Sequence, residues 1–395
     1  MQAFAKKTTW LCYGISFGLI TAILLWGLMG ILGGGGLIFR VFGFYAFIPL
    51  VTGIAGFVLG LANAHMKWLY TVQVTVFAQV VYTILFRHRF IIMPRNFYFI
   101  IPFSAALFGV SVGIFIYGMD AKHKARLKNV AKVAAVIGSV IALIHIIHAV
   151  TLDRTIAYTE ISFYSQRVPP ALDGYQIAFI ADTHRLSETR TWGIVDEINK
   201  RAPDLVVLGG DFSSITSEMQ RTIEILSHIE VTDGIFGVEG NHDDYRQLFA
   251  SMRAHGMTPL SNSGYHIRDN FFLAGVEDLW NRNPDIAAAL ADSRADDFVL
   301  LVSHNPDVTM QQDTTGADLI LSGHTHGGQV AFFGIWAPYF TFGGGSITAY
   351  GQRFRAGWAQ SRDGTPIFIS RGAGEYLPRV FTRPEVVIVT LRQYE

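Results

Sequence analysis

A single cysteine, Cys12, occurs in the 395 residues, so no disulfide can close within the chain. That isolation is compatible with a reducing or an oxidising compartment. Charge is scarce as well: only 16% of residues are charged while half are hydrophobic, against the roughly 25% charge usual in soluble domains. No internal repeat and no low-complexity segment occurs beyond the glycine run at residues 33–36, which excludes a repeat architecture. Acidic residues are almost missing from one half. Residues 1–152 hold twelve Lys and Arg but one acid, whereas residues 153–395 hold 19 basic and 30 acidic side chains. The formal net charge of zero therefore conceals +11 against −11.

What the first half has instead is long apolar runs. Those near residues 10–32, 41–62, 68–86, 97–119 and 133–152 each approach or exceed the ~20 residues needed to cross a bilayer core. Five transmembrane helices are expected, so the first run is not a simple cleaved signal peptide. Lys6, Lys7, Lys67, Lys122, Lys124, Arg126, Lys128 and Lys132 fall on the N-terminal side of this arrangement, against Arg40, Arg87, Arg89, Arg95 and Arg154 on the other. Basic loops stay cytoplasmic. The expectation is a multi-pass cell-membrane protein, residues 1–152, with residues 153–395 extracytoplasmic. His145 and His148 lie three apart near the outer end of the fifth run, either as intramembrane functional groups or, the preferred reading, as interfacial packing.

The second half changes texture. Short Val- and Ile-rich runs such as "YQIAFIAD", "DLVVLGGD", "GIFGVEGNHD", "FFLAGVED", "FVLLVSHNP", "DLILSGHTH", "PIFIS" and "EVVIVTL" alternate with helix-like stretches such as "TWGIVDEINKRA" and "SEMQRTIEILSHI". Buried strands between helices predict an α/β domain with a covered sheet. Five of the runs end in ligand-type residues: Asp182 and His184; Asp211; Asn241, His242 and Asp243; His304; His324 and His326. Taken singly each is weak, since a D-x-H or a strand-end Gly-Asp is common in turns. Together, at the carboxyl ends of strands where side chains converge, they make a donor set for divalent transition metals, Mn, Fe or Zn. Glycines at 209, 210, 240 and 323 suit tight turns and close approach beside them.

The ordered blocks "ADTH", "GGD", "GNHD", "SHNP" and "GHTH" resemble the calcineurin-like metallophosphoesterases over about residues 160–395. "SGHTHGGQ" and "ISRGAG" look like the membrane-linked subgroup of the YkuE type, similar also to transmembrane proteins with a metallophosphoesterase domain. The resemblance implies a four-layer α/β/β/α sandwich and two divalent ions. Asp182, His184 and His326 would hold the first ion, Asn241, His304 and His324 the second, and Asp211 would bridge them. His242 would protonate the leaving oxygen, or act as an outer structural residue, and Asp243 would orient its imidazole.

Two ions ~3.5–4 Å apart can activate a hydroxide and clamp an in-line displacement at phosphorus. Phosphoester hydrolysis is the leading function, on a mono- or diester, with a lipid-linked or envelope-associated substrate suggested by the membrane half. The alternative is a membrane sensor or transport-associated protein whose phosphoesterase-like domain binds a ligand without turnover. "GDFSSIT" departs from the "GDxxDRG" of protein phosphatases, and an acidic second half argues against nucleic acid. Arg185 and Arg371 are candidates for phosphate recognition or for structural pairing. "QVAFFGIWAPYFTFGG" reads as a lipid-facing lip or as a buried hairpin, and His228, His255 and His266 as ordinary residues. The expected partners are the bilayer and a phosphoester, with protein partners left open.

Overall fold

The computed structural model describes residues 133–394 apart from residues 134, 135, 139, 142, 185, 338, 339, 341–346 and 375–378. The chain divides into two units, Met1–Val140 and Ile141–Glu395. Four of the five expected spans, and Arg185, lie outside the described residues. The fifth run is a helix, Val136–Arg154, with a mean hydropathy of 1.9. At 1.5 Å per residue its length is close to a ~30 Å hydrocarbon core, and among the described residues it is the one helix long and apolar enough to cross a membrane. Its apolar side chains face outward, from Ile144 and Ile147 to Val150.

Beyond it the second unit is an α/β sandwich of two mixed six-stranded sheets. The first has the order β1 (Ala157–Ser165), β12 (Glu385–Gln393), β2 (Gln176–Ile180), β3 (Leu205–Leu208), β4 (Ile235–Gly237) and β5 (Thr258–Pro259). The second has the order β10 (Gly357–Gln360), β11 (Pro366–Ile369), β9 (Leu319–Ser322), β8 (Phe298–Val302), β7 (Phe271–Gly275) and β6 (Ser263–Arg268). β2 to β5 run parallel in one sheet, and β7, β8, β9 and β11 run parallel in the other. All eight apolar runs read from the sequence are strands.

Alternation along each strand decides which layer a residue enters. Ile177, Phe179, Leu205 and Val207 meet Leu273, Leu300, Leu319 and Leu321 between the sheets. Their neighbours Ala178, Ile180, Val206 and Leu208 point the other way, onto helices α1 (Glu188–Arg201), α2 (Thr216–Leu226) and α3 (Tyr245–Ala254). Those helices present matching stripes: Thr191, Ile194, Val195 and Ile198 on α1, and Met219, Thr222, Ile223 and Leu226 on α2, each spaced 0, 3, 4 and 7. The outer face of the second sheet has a thinner cover, in which Val308 and the short α4 (Ile286–Ala289) pack on Val299, Leu301 and Ile320. Each fully buried Val, Leu or Ile contributes about 1.5–3 kcal/mol. The double-sided burial of β2, β3, β8 and β9 holds both sets of strand ends at one rim.

Candidate metal centre

Every ligand-type residue singled out from the sequence sits at that rim, just past β2, β3, β4, β8 or β9. Five of them have left-handed backbone: Asp182 (φ 53°), His184 (43°), Asp211 (59°), His324 (71°) and His326 (50°). Each such residue costs about 1–3 kcal/mol unless its surroundings fix it. Two glycines supply that fixing by close approach. A Cβ on Gly240 would stand 2.2 Å from Asp211 Oδ1, and one on Gly323 would stand 2.4 Å from Asp182 Oδ2.

The side chains fall into two groups. In the first, His184 Nε2 lies 3.0 Å from His326 Nε2, and Asp182 Oδ1 is 3.9 Å and 3.5 Å from those two nitrogens. In the second, His304 Nε2 is 3.2 Å from His324 Nδ1, 3.3 Å from Asn241 Oδ1 and 3.3 Å from Asp211 Oδ2. Asp211 Oδ2 is also 3.7 Å from His184 Nε2, so this carboxylate stands between the groups. His304 Nδ1–H donates to the carbonyl of Gly209 and His324 Nε2–H to that of Ile347, at 2.8 and 3.0 Å. Those bonds point His304 Nε2 and His324 Nδ1 inward, the atoms that would ligate an ion.

Burial and charge tune the same atoms in opposite directions. Burial lowers His184 to about 4 and His324 to about 3, so both imidazoles are neutral. Burial also disfavours charge on His304, but Asp211 beside it prevails and holds His304 well above the ordinary value. Asp182, fully buried, is pushed up to about 7. A largely buried cluster of inward-facing imidazoles and carboxylates is a poor arrangement for metal-free protein and a fitting one for divalent cations of intermediate softness.

His242 is exposed at the mouth, its ring centroid 5.4 Å from that of His184 and its Nδ1 3.1 Å from Ser214 Oγ. Asp243 does not orient it, contrary to the expectation. Its carboxylate accepts from the backbone N–H groups of Asp211, Phe212, Ser213 and Gly240, tying the loops after β3 and β4 together. Four backbone donors from two loops outcompete a single neighbouring imidazole. Arg371 is likewise engaged, by an ion pair with Glu385 and by donating its backbone N–H to the same carboxylate.

Sequence reasoning missed three neighbouring features. Trp280, past β7, meets the His324 ring edge-on at 4.6 Å. Gly372 and Gly374 close on Asp182, with Gly374 N–H donating to the Asp182 carbonyl. Arg379, fully buried, donates to the carbonyls of Arg371 and Thr382 and reaches to 3.3 Å from His326 Nδ1. "ISRGAG" was the visible trace of the second of these; Arg379 left none, being one arginine among many.

A profile of the calcineurin-like phosphoesterases matches residues 175–328, the interval containing all nine candidate residues. The metallophosphoesterase YkuE of Bacillus subtilis is 31% identical over 259 residues, covering 59% of this chain and 85% of YkuE. The chain belongs to the calcineurin-like phosphoesterase family. A metallophosphoesterase of Campylobacter jejuni is 27% identical and is covered over 66% of its length. The Danio rerio transmembrane protein with metallophosphoesterase domain is 25% identical, with 66% of this chain matching 62% of that one. In the family's terms, the blocks "ADTH", "GGD", "GNHD", "SHNP" and "GHTH" are the five turns that bring the two donor groups together here.

Proposed function

We propose that this chain is a membrane-anchored, metal-dependent phosphoesterase working on phosphoesters near the membrane surface. The observation that carries the reading is the convergence of two His/Asp donor groups, with Asp211 between them, on the rim of a phosphoesterase fold. Asp182, His184 and His326 would hold one ion; Asn241, His304 and His324 would hold the other. Divalent Mn, Fe or Zn bound there supplies Lewis acidity toward the phosphoryl oxygens and acidifies water for attack at phosphorus.

The protein's own side chains then have defined tasks. His242, at the mouth, gives its proton to the departing oxygen as the P–O bond breaks. To do so it would act as the imidazolium, donating Nδ1–H to Ser214 Oγ and presenting the transferable proton on Nε2. Asp243 holds the turns carrying Asp211 and His242 in register through backbone N–H groups. Membrane anchoring is supported by the apolar helix Val136–Arg154 and by relatives named as transmembrane proteins. An extracytoplasmic catalytic half rests on the distribution of basic residues in residues 1–152.

The test is hydrolysis of a chromogenic phosphodiester and a phosphomonoester by the detergent-purified chain with added Mn²⁺. Turnover that needs metal, and that falls by about 10²–10⁴-fold in His242→Ala with metal content unchanged, is expected. Wild-type protein that binds metal but turns over neither ester would favour ligand sensing without catalysis.

A further inference from the structure

We propose that the turn Phe332–Trp336 and the adjoining end of the apolar helix form one bilayer-docking surface, which holds the metal centre over phosphoesters in the lipid headgroup layer. The choice of substrate rests on the phosphoesterase reading above; the docking surface does not.

The turn begins six residues after His326, within ~20 Å of contour. A turn in water is normally polar, yet Phe332 is 47% and Ile335 79% exposed, with Phe333 and Trp336 exposed beside them. It is built rather than loose: Phe332 N–H donates to the Trp336 carbonyl at 2.7 Å, and Ala331 N–H to that of Val380 at 2.8 Å. It is also pinned to the apolar helix. The His145 ring stacks on Phe332 at 5.1 Å and meets Phe333 and Phe381 edge-on at 4.7 and 4.8 Å. His145 Nδ1–H donates to the Ile141 carbonyl at 2.8 Å and Nε2 accepts from Phe333 N–H at 3.4 Å.

One turn further on, His148 stacks on Phe381 at 3.9 Å. Buried Asp153 joins the two, accepting from His148 Nδ1 at 2.7 Å and from Phe381 N–H at 2.8 Å. The two histidines are therefore packing residues that bind the turn to the helix. If the helix crosses a bilayer, its last turns lie at the interface, and a turn fixed to them lies at headgroup depth. Arg154, exposed, and Arg383, donating to the carbonyls of Thr155 and Ile156, stand at the same level. Aromatic and cationic side chains together are what an anionic headgroup layer accommodates.

The experiment uses the full chain with Cys12→Ala, reconstituted in vesicles of equal parts phosphatidylcholine and phosphatidylglycerol. A nitroxide is placed at Ile335→Cys or, as control, at Asp269→Cys in the exposed turn between β6 and β7. The 335 label should collide readily with O₂ and be shielded several-fold from a water-soluble nickel chelate, with the reverse at 269. Equal access of the chelate to both labels would overturn the docking surface. So would dipolar broadening at 335 that vanishes on dilution with unlabelled chain, since it would assign the turn to a second copy. Ile335→Asp should lower turnover of phosphatidic acid or phosphatidylglycerol in vesicles by about tenfold and leave turnover of the soluble chromogenic esters unchanged. Equal loss on both, or on neither, would overturn the headgroup assignment. A wild-type chain inactive on every ester would refute the phosphoesterase reading, while the label accessibilities still decide the docking surface.

Discussion

The two donor groups use the same residue types but are built differently. The second group grows from the ends of β3, β4, β8 and β9, with His304 fully buried and both its histidines locked by backbone carbonyls. The first group grows from the ends of β2 and β9 but is backed by late residues, Gly372 and Gly374 against Asp182 and the guanidinium of Arg379 against Nδ1 of His326, which is 13% exposed. A nitrogen facing a cation is a weaker donor than one whose N–H points at a carbonyl. The difference teaches that the second group is preorganised by the sheets, whereas the first depends on a segment that also carries Phe381 to the apolar helix. The second ion should therefore be the tighter one.

The change expected to have the largest effect removes what the groups share. Asp211→Asn should abolish turnover, by well over the ~10–100-fold typical of losing an outer partner, and should empty both groups in elemental analysis. Next, the asymmetry itself can be broken. His326→Ala is expected to retain one tightly held ion per chain, whereas His304→Ala should retain an ion only weakly. Equal losses in the two variants would remove the distinction drawn above.

Acid gives a smaller, graded effect. Metal ligation needs deprotonated donors. His184 and His324, near 4 and 3, are already neutral at neutral pH and contribute no dependence there. Asp182, raised to about 7, and His304, held well above its ordinary value, carry protons that loading must displace. Affinity should thus fall as pH drops through 7, by about one to two powers of ten per unit, in a Mn²⁺ titration between pH 6 and 8. A flat profile would contradict the assignment of protons to those two residues.

The smallest effects separate site from scaffold. A methyl at Gly323 meets Asp182, so Gly323→Ala should weaken metal binding. Gly193 on α1 has nothing within 4 Å of its Cβ position, so Gly193→Ala should leave binding alone and stabilise by up to ~1 kcal/mol in thermal unfolding.

Much of this was legible in advance because buried parallel strands write themselves as short Val/Ile runs, and because their ends carried unusual polar pairs. All eight runs became strands, and the nine candidate residues share one rim. What was not legible follows from the geometry of non-local contacts. Asp243 looks like a catalytic partner from its place beside His242, but only the fold shows that its carboxylate meets three backbone N–H groups from the loop after β3 besides that of Gly240 in its own loop. Arg371 looks free until β12 brings Glu385 beside it. Arg379 and Trp280 reach the site from segments with no motif. The aromatic stretch after His326 had two readings of equal weight; within its described part, the exposed Phe332–Trp336 turn favours the surface one.

The most direct measurement is anomalous diffraction at the manganese edge from crystals of the full chain grown with Mn²⁺. Two peaks are predicted: a strong one among Asn241, His304 and His324, and a weaker one among Asp182, His184 and His326, with Asp211 between them. A single peak away from these residues, or none at saturating metal, would contradict the two-group account.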